Sequence, residues 1–155
     1  MPDFGYAVGD FIAIVKLAWQ LYDSCYKVIK DAPTEFLALC NELAALGMAL
    51  TRVQNDLARP DSKLRQHGDD RLASLKLMGQ SMNLTLQQLA RIVDKYKPVV
   101  RKTTTTTLWN KLRWTVEQNN IINLRLKLTS HVASLNLIIS SIGKFVLSIC
   151  RHPNQ

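Results

Sequence analysis

The chain is short of the residues that punctuate a backbone: 155 residues contain six glycines and five prolines. Turn signals are correspondingly scarce, and no alternating apolar/polar run is bounded by them, which argues against a β-rich domain. Cysteine is scarce as well. Cys25, Cys40 and Cys150 are odd in number and form no CxxC pair, so the pattern fits buried thiols in a reducing, cytoplasmic compartment better than a disulfide frame. His67, His131 and His152 stand apart from one another. No metal site and no cofactor is therefore expected, and His131 reads as a residue of a helical core or its rim. Phosphate loops, nucleophile elbows and paired carboxylates are lacking, which argues against an enzyme with a small-molecule substrate. A secretory signal is also missing, since the apolar start opens with Asp3 and carries Asp10 in place of a basic leader.

Acid is rare in the second half. Residues 1–70 carry seven basic and ten acidic groups, a sum of −3, whereas residues 71–155 carry thirteen and two, a sum of +11. Arg91, Lys95, Lys97, Arg101, Lys102, Lys111 and Arg113 are opposed by Asp94 alone, giving +6 within 23 residues. A cluster of that density favours anionic partners. Nucleic acid is the weaker candidate, because Trp109 and Trp114 sit at helical positions that suit a core or hinge better than a stacking platform.

What the chain does have is helical periodicity, and 47% hydrophobic residues are enough for one sizeable core. From Gly9 to Lys30 the polar residues Lys16, Gln20, Asp23, Lys27 and Lys30 form one narrow stripe. Phe11, Ile14, Ala18, Leu21, Cys25 and Val28 line one side of it, and Ile12, Val15, Trp19, Tyr22, Tyr26 and Ile29 the other. A helix apolar on both flanks must be buried on several sides, handed to a partner or passed to a membrane. Phe4 to Tyr22 is 19 residues long, close to a bilayer span, but Asp10 and Lys16 would each cost about 2.5 to 3.5 kcal/mol near its centre, so a lone copy should not insert.

A second helix is expected over about 35–58 after Pro33, with Thr34 as its cap and Phe36, Leu39, Cys40, Leu43, Leu46, Leu50, Val53 and Leu57 as its stripe. Arg59-Pro60-Asp61-Ser62 breaks it, and a polar stretch runs on to Asp69-Asp70, which can cap the next helix. The third carries Leu72, Leu75, Met78, Met82, Leu86, Leu89, Val93 and Tyr96 and should end before Pro98. The stretch Val99 to Thr107, with its five consecutive threonines, reads as an exposed loop, and Leu108 to Trp114 as a short helix. The last helix is expected from about Glu117 to Ile149 on Ile121, Leu124, Leu128, Val132, Leu135, Ile139, Ile142, Val146 and Ile149. Its second apolar row, Ile122, Leu126, Leu137, Ile138, Phe145 and Leu147, is expected to lie centrally against the first helix. The fold class is all-α: a helical bundle of four long helices plus a short helix before the last, in a single domain over residues 1–155.

Four colinear blocks carry a resemblance. FGYAVGDFIAIVKLAW, YKVIKDAPTEFLALCNELAAL, the Trp-x-Lys-Leu-x-Trp core at Trp109 to Trp114, and LKLTSHVASLNLIISSIG together resemble fungal HeLo-like domains. These are N-terminal cell-death domains of fungal NOD-like receptors and amyloid-signalling proteins, related to the HET-S HeLo domain and to the four-helix bundle of necroptosis effectors. The resemblance implies a domain that is cytoplasmic at rest, is clustered by a downstream module, and then drives its N-terminal helix into the plasma membrane. Nothing after Gln155 has the length of such a module, so the chain is expected to be the N-terminal part of a longer protein.

The implied inserting segment comprises Phe4, Tyr6, Val8, Phe11, Ile12, Ile14, Val15, Leu17 and Trp19. The basic cluster from Arg91 to Arg113 is then the expected dock for anionic membrane lipids. Self-association belongs to the same expectation. The rival reading is a helical homo- or hetero-oligomerisation module without membrane activity.

Overall fold

The structure is a computed structural model that describes residues 4–27, 34–66, 69–100 and 114–151, with side-chain surroundings for 9–27, 34–66, 70–94 and 118–141. It is all-helical, and no strand occurs among the described residues. In chain order the helices are α1 (Phe4–Tyr26), α2 (Thr34–Ala58), α3 (Lys63–Gln66), α4 (Asp69–Val100) and α5 (Trp114–Arg151).

The three- and four-residue spacing of the apolar positions dictates which faces meet. All eight residues of the α2 stripe are buried, as are Leu75, Met82, Leu86, Leu89 and Val93 of α4 and Ile121, Leu124, Leu128 and Leu135 of α5. Phe11, Ile14, Ala18, Leu21 and Cys25 bring α1 into the same core. Neighbouring helices follow the cyclic order α1, α2, α5, α4, with α1 and α5 each packed on both α2 and α4. That placement explains the two apolar flanks of α1. A helix seated between two neighbours needs a wide apolar face, and the polar stripe of Lys16, Gln20, Asp23 and Lys27 is left exposed.

The α2–α4 connection is more ordered than its polar composition predicts. Asp56, near the end of α2, takes the Ser62 hydroxyl at 2.7 Å and the backbone N–H of Leu64 at 3.2 Å, while Ser62 Oγ accepts from Arg65 N–H at 3.2 Å. Both side chains thus serve the orphan donors at the start of α3. Buried Leu64 then anchors this short helix, which contacts both α2 and α4. On the exposed turn, the Arg59 guanidinium pairs with Asp61 at 3.1 Å and holds its carboxyl below the usual range.

Several expectations are corrected. The first helix begins at Phe4 and ends at Tyr26, short of Lys30. Helix α4 runs through Pro98 to Val100; with two residues following it, Pro98 forfeits one hydrogen bond at the end of a ladder instead of breaking a continuing one. The last helix starts at Trp114, absorbing a residue assigned to the short helix, and the rest of Leu108–Trp114 and the threonine run lie outside the described residues. Among the described residues, helix α5 is not packed centrally against α1: its partners are α2 and α4. Of its second apolar row, Ile122, Leu126 and Leu137 face outward, Leu126 and Leu137 being 65% and 72% exposed, while Ile138 packs partly buried against the core. The primary stripe fills most of the angle that two neighbours subtend.

Candidate functional site

The expected inserting segment is, in this structure, the wall of the core. Phe11, Ile14 and Val15 are buried, Ile12, Leu17 and Trp19 are partly buried, and Asp10, Ala13 and Lys16 face outward. Phe4, Tyr6 and Val8 occupy the first turns of α1, and their side chains lie outside the described residues. Two glycines shape the bed on which α1 rests. A Cβ on Gly47 of α2 would meet the Trp19 indole at 2.9 Å, so the ring lies directly on bare backbone. On the opposite side a Cβ on Gly79 of α4 would meet Ile14 and Phe11 at ordinary contact distances of 3.4 and 3.6 Å.

Polar atoms fix the α1–α2 contact further. Trp19 Nε1–H donates to Thr51 Oγ1 at 3.2 Å, and Thr51 donates to the Gly47 carbonyl at 2.7 Å. The indole also meets Tyr22 edge-on with ring centres 5.8 Å apart. One turn further along, Cys25 and Cys40 are buried as thiols and not joined in a disulfide. The hydrogen bond from Cys25 holds the Cys40 thiol below its ordinary pKa, against the opposing effect of burial.

The basic cluster is brought together only in part. Arg91 is exposed on α4, and Lys95 and Lys97 continue that helix with side chains outside the described residues. Arg101, Lys102, Lys111 and Arg113 lie outside the described residues altogether. Instead, the fold sets Arg91 beside Lys127 of α5, a residue that the sequence cluster did not include, on a cleft of about 440 Å³ between α4 and α5.

Polar pairs also join α4 and α5 at the edge of their shared core. Lys127 Nζ donates to Gln88 Oε1 at 3.3 Å, and Arg71 donates to Ser141 Oγ at 2.9 Å. His131 Nε2 lies 3.0 Å from Thr85 Oγ1, whose hydroxyl donates to the Ser81 carbonyl at 3.1 Å, so the imidazole proton belongs on Nε2. Partial burial, aided by Lys127 one turn away, keeps His131 below its ordinary pKa. The α2–α5 seam is joined by Arg125, whose guanidinium grips Glu42 at 3.1 to 3.2 Å from two nitrogens.

Sequence reasoning missed Gly47, Glu42, Arg125, Thr85 and Lys127. A glycine inside a helix costs about 1 kcal/mol relative to alanine, and that cost was the available signal for a close approach at Gly47. The others depend on which helices are neighbours. Among the described residues no group of three His, Cys, Asp or Glu side chains could hold a metal ion. The one described helix long and apolar enough to cross a membrane is α2, half of whose apolar window is buried within the core, as in many soluble proteins. No family model, no curated protein and no solved structure matches the chain.

Proposed function

We propose that this chain is a HeLo-like cell-death execution domain, a bundle of four long helices with a further short helix before the last. On clustering, it releases α1 into the plasma membrane and permeabilises it. The observation that carries the reading is the double apolar flank of α1. Phe11 and Ile14 are seated in the core while Asp10 and Lys16 stand at the solvent edge. Transfer of α1 exchanges protein contacts for lipid contacts of similar worth, at about 1.5 to 3 kcal/mol per large side chain relative to water. The charges oppose transfer, so one copy stays folded, and assembled copies share that cost. The basic cluster around Arg91 supplies attraction to anionic lipid, at about 1 kcal/mol per residue near the surface.

Ala13 provides the test, because it is exposed at rest yet would enter the bilayer with the segment around it. Ala13→Glu should leave folding intact and abolish dye release from anionic liposomes by a protein fused to an oligomeriser. Unimpaired release by the folded variant would remove α1 as the inserting element. The rival reading, an oligomerisation module without membrane activity, is favoured by the outward row of Ile122, Leu126 and Leu137. It requires that the clustered parent neither bind nor permeabilise the liposomes.

A further inference from the structure

We propose that the cleft between α4 and α5 is a binding site for a phosphomonoester group. Its walls carry two cations, Arg91 and Lys127, and three amides, Gln88, Asn120 and Asn123. Ile92 and Leu124 supply the apolar part of the lining, and no carboxylate lines it among the described residues. Asp94, three residues beyond Arg91, is not among the lining residues. The cleft's roughly 440 Å³ falls within the range of small-molecule sites.

The chemistry selects a dianion. An arginine fork and an ammonium give charge-assisted bonds to phosphate oxygens, and a group with three terminal oxygens uses more of those donors than a diester does. Gln88 accepts from Lys127 through its carbonyl oxygen at 3.3 Å, which leaves its amide nitrogen as a donor. That lysine bond is long and solvent-exposed, so Lys127 can turn to an incoming anion at little cost. Because α4 and α5 contribute one cation each, the pair exists only in the folded domain, and sequence proximity does not reveal it. A phosphomonoester can arrive on a lipid, as in phosphatidic acid, or on a soluble metabolite. The membrane arm rests on the docking half of the proposed function, and the soluble arm does not.

The experiment uses nuclear magnetic resonance titration of the whole domain with inorganic phosphate and glycerol 3-phosphate. Alongside it, co-sedimentation compares phosphatidylcholine vesicles doped with phosphatidic acid or, at equal charge, with phosphatidylglycerol. The proposal expects the side-chain amide signals of Gln88, Asn120 and Asn123 to move, and Arg91→Gln/Lys127→Gln to weaken binding by about tenfold or more. An unchanged circular dichroism melt establishes that the variant is folded; the single variants replace it if it is not. Preference for phosphatidic acid that disappears in the variant assigns the cleft to a lipid. Glycerol 3-phosphate binding without that preference assigns it to a soluble ligand. Absence of both, or binding that the variant leaves intact, overturns the site. Vesicle binding that persists without discrimination, with neither soluble phosphate bound, would overturn the cleft while leaving general anionic docking in place.

Discussion

The α1–α2 seam and the α4–α5 seam belong to one core but are held by different means. Between α1 and α2 the contact is close and largely dry: the Trp19 ring lies on Gly47, and Leu21, Cys25, Leu39 and Cys40 are buried alongside. Between α4 and α5 the helices meet through His131 and Thr85, Lys127 and Gln88, and Arg71 and Ser141, with a cleft open beside them. The exposed pairs among these, Lys127–Gln88 and Arg71–Ser141, contribute little net stability, whereas truncating a packed aromatic is expensive. The helix that the proposed mechanism must release is thus bound at the stronger seam. This places the requirement for clustering in the energetics of the resting state: a weakly seated α1 would fire without a trigger.

The largest expected effect tests the strong seam directly. Trp19→Ala removes the ring from Gly47 and its bond to Thr51, and should lower unfolding free energy by about 3 kcal/mol in urea titrations. A loss below about 0.5 kcal/mol, the scale of an ordinary surface change, would abolish the distinction between the seams. The glycines sharpen it by predicting opposite signs. Gly47→Ala forces a methyl to within 2.9 Å of the indole and should cost about 1 to 3 kcal/mol by overpacking. Gly79→Ala, at 3.4 Å from Ile14, meets an ordinary contact and should gain up to about 1 kcal/mol from helix propensity. Equal signs would mean that α1 is not wedged preferentially against α2.

The smallest effect concerns the polar seam. Partial burial and then Lys127 hold His131 below its ordinary pKa in the folded state, while in the unfolded chain it titrates at about 6.5. Below that value the unfolded state binds the extra proton first, so this contribution is complete above about 6.5 and diminishes as pH falls towards the depressed folded value. Melting temperature should therefore drop more on acidification in the parent than in His131→Gln. Identical pH profiles would show that the imidazole contributes nothing to the seam.

Periodicity is sufficient for the buried faces of α1, α2, α4 and α5, because three- and four-residue spacing states which face of each must be buried, but not for α3, which lies in a stretch read as polar connection. Phe36 to Leu57 is the clearest example, every stripe residue lying inside. It could not state which helices are neighbours. Placing α5 against α1 rested on its whole second apolar row, of which Ile122, Leu126 and Leu137 are exposed and Ile138 packs partly buried, and no spacing within one helix encodes the cyclic order of four. For the same reason the linear basic cluster yielded Arg91 but not Lys127. The Glu42–Arg125 pair joins residues 83 positions apart and carries no local signature. The α3 cap was legible in principle, since Asp56 and Ser62 are capping residue types, but their bond spans the proline turn.

The order in which the helices meet also governs how a nascent chain acquires its shape. The Trp19–Thr51 bond spans 32 residues, whereas Glu42–Arg125 spans 83, and closing the shorter loop costs less chain entropy. We therefore expect α1 and α2 to pair early and α5 to dock late, as local contacts generally precede distant ones. In refolding kinetics Trp19→Ala should chiefly slow folding, and Arg125→Met should chiefly accelerate unfolding; the reverse assignment would make α1 the last helix to dock. On the ribosome, the apolar flanks of the first helix synthesised would then be sheltered by the second before the chain is finished, which limits the time in which that surface can find a membrane or another nascent chain.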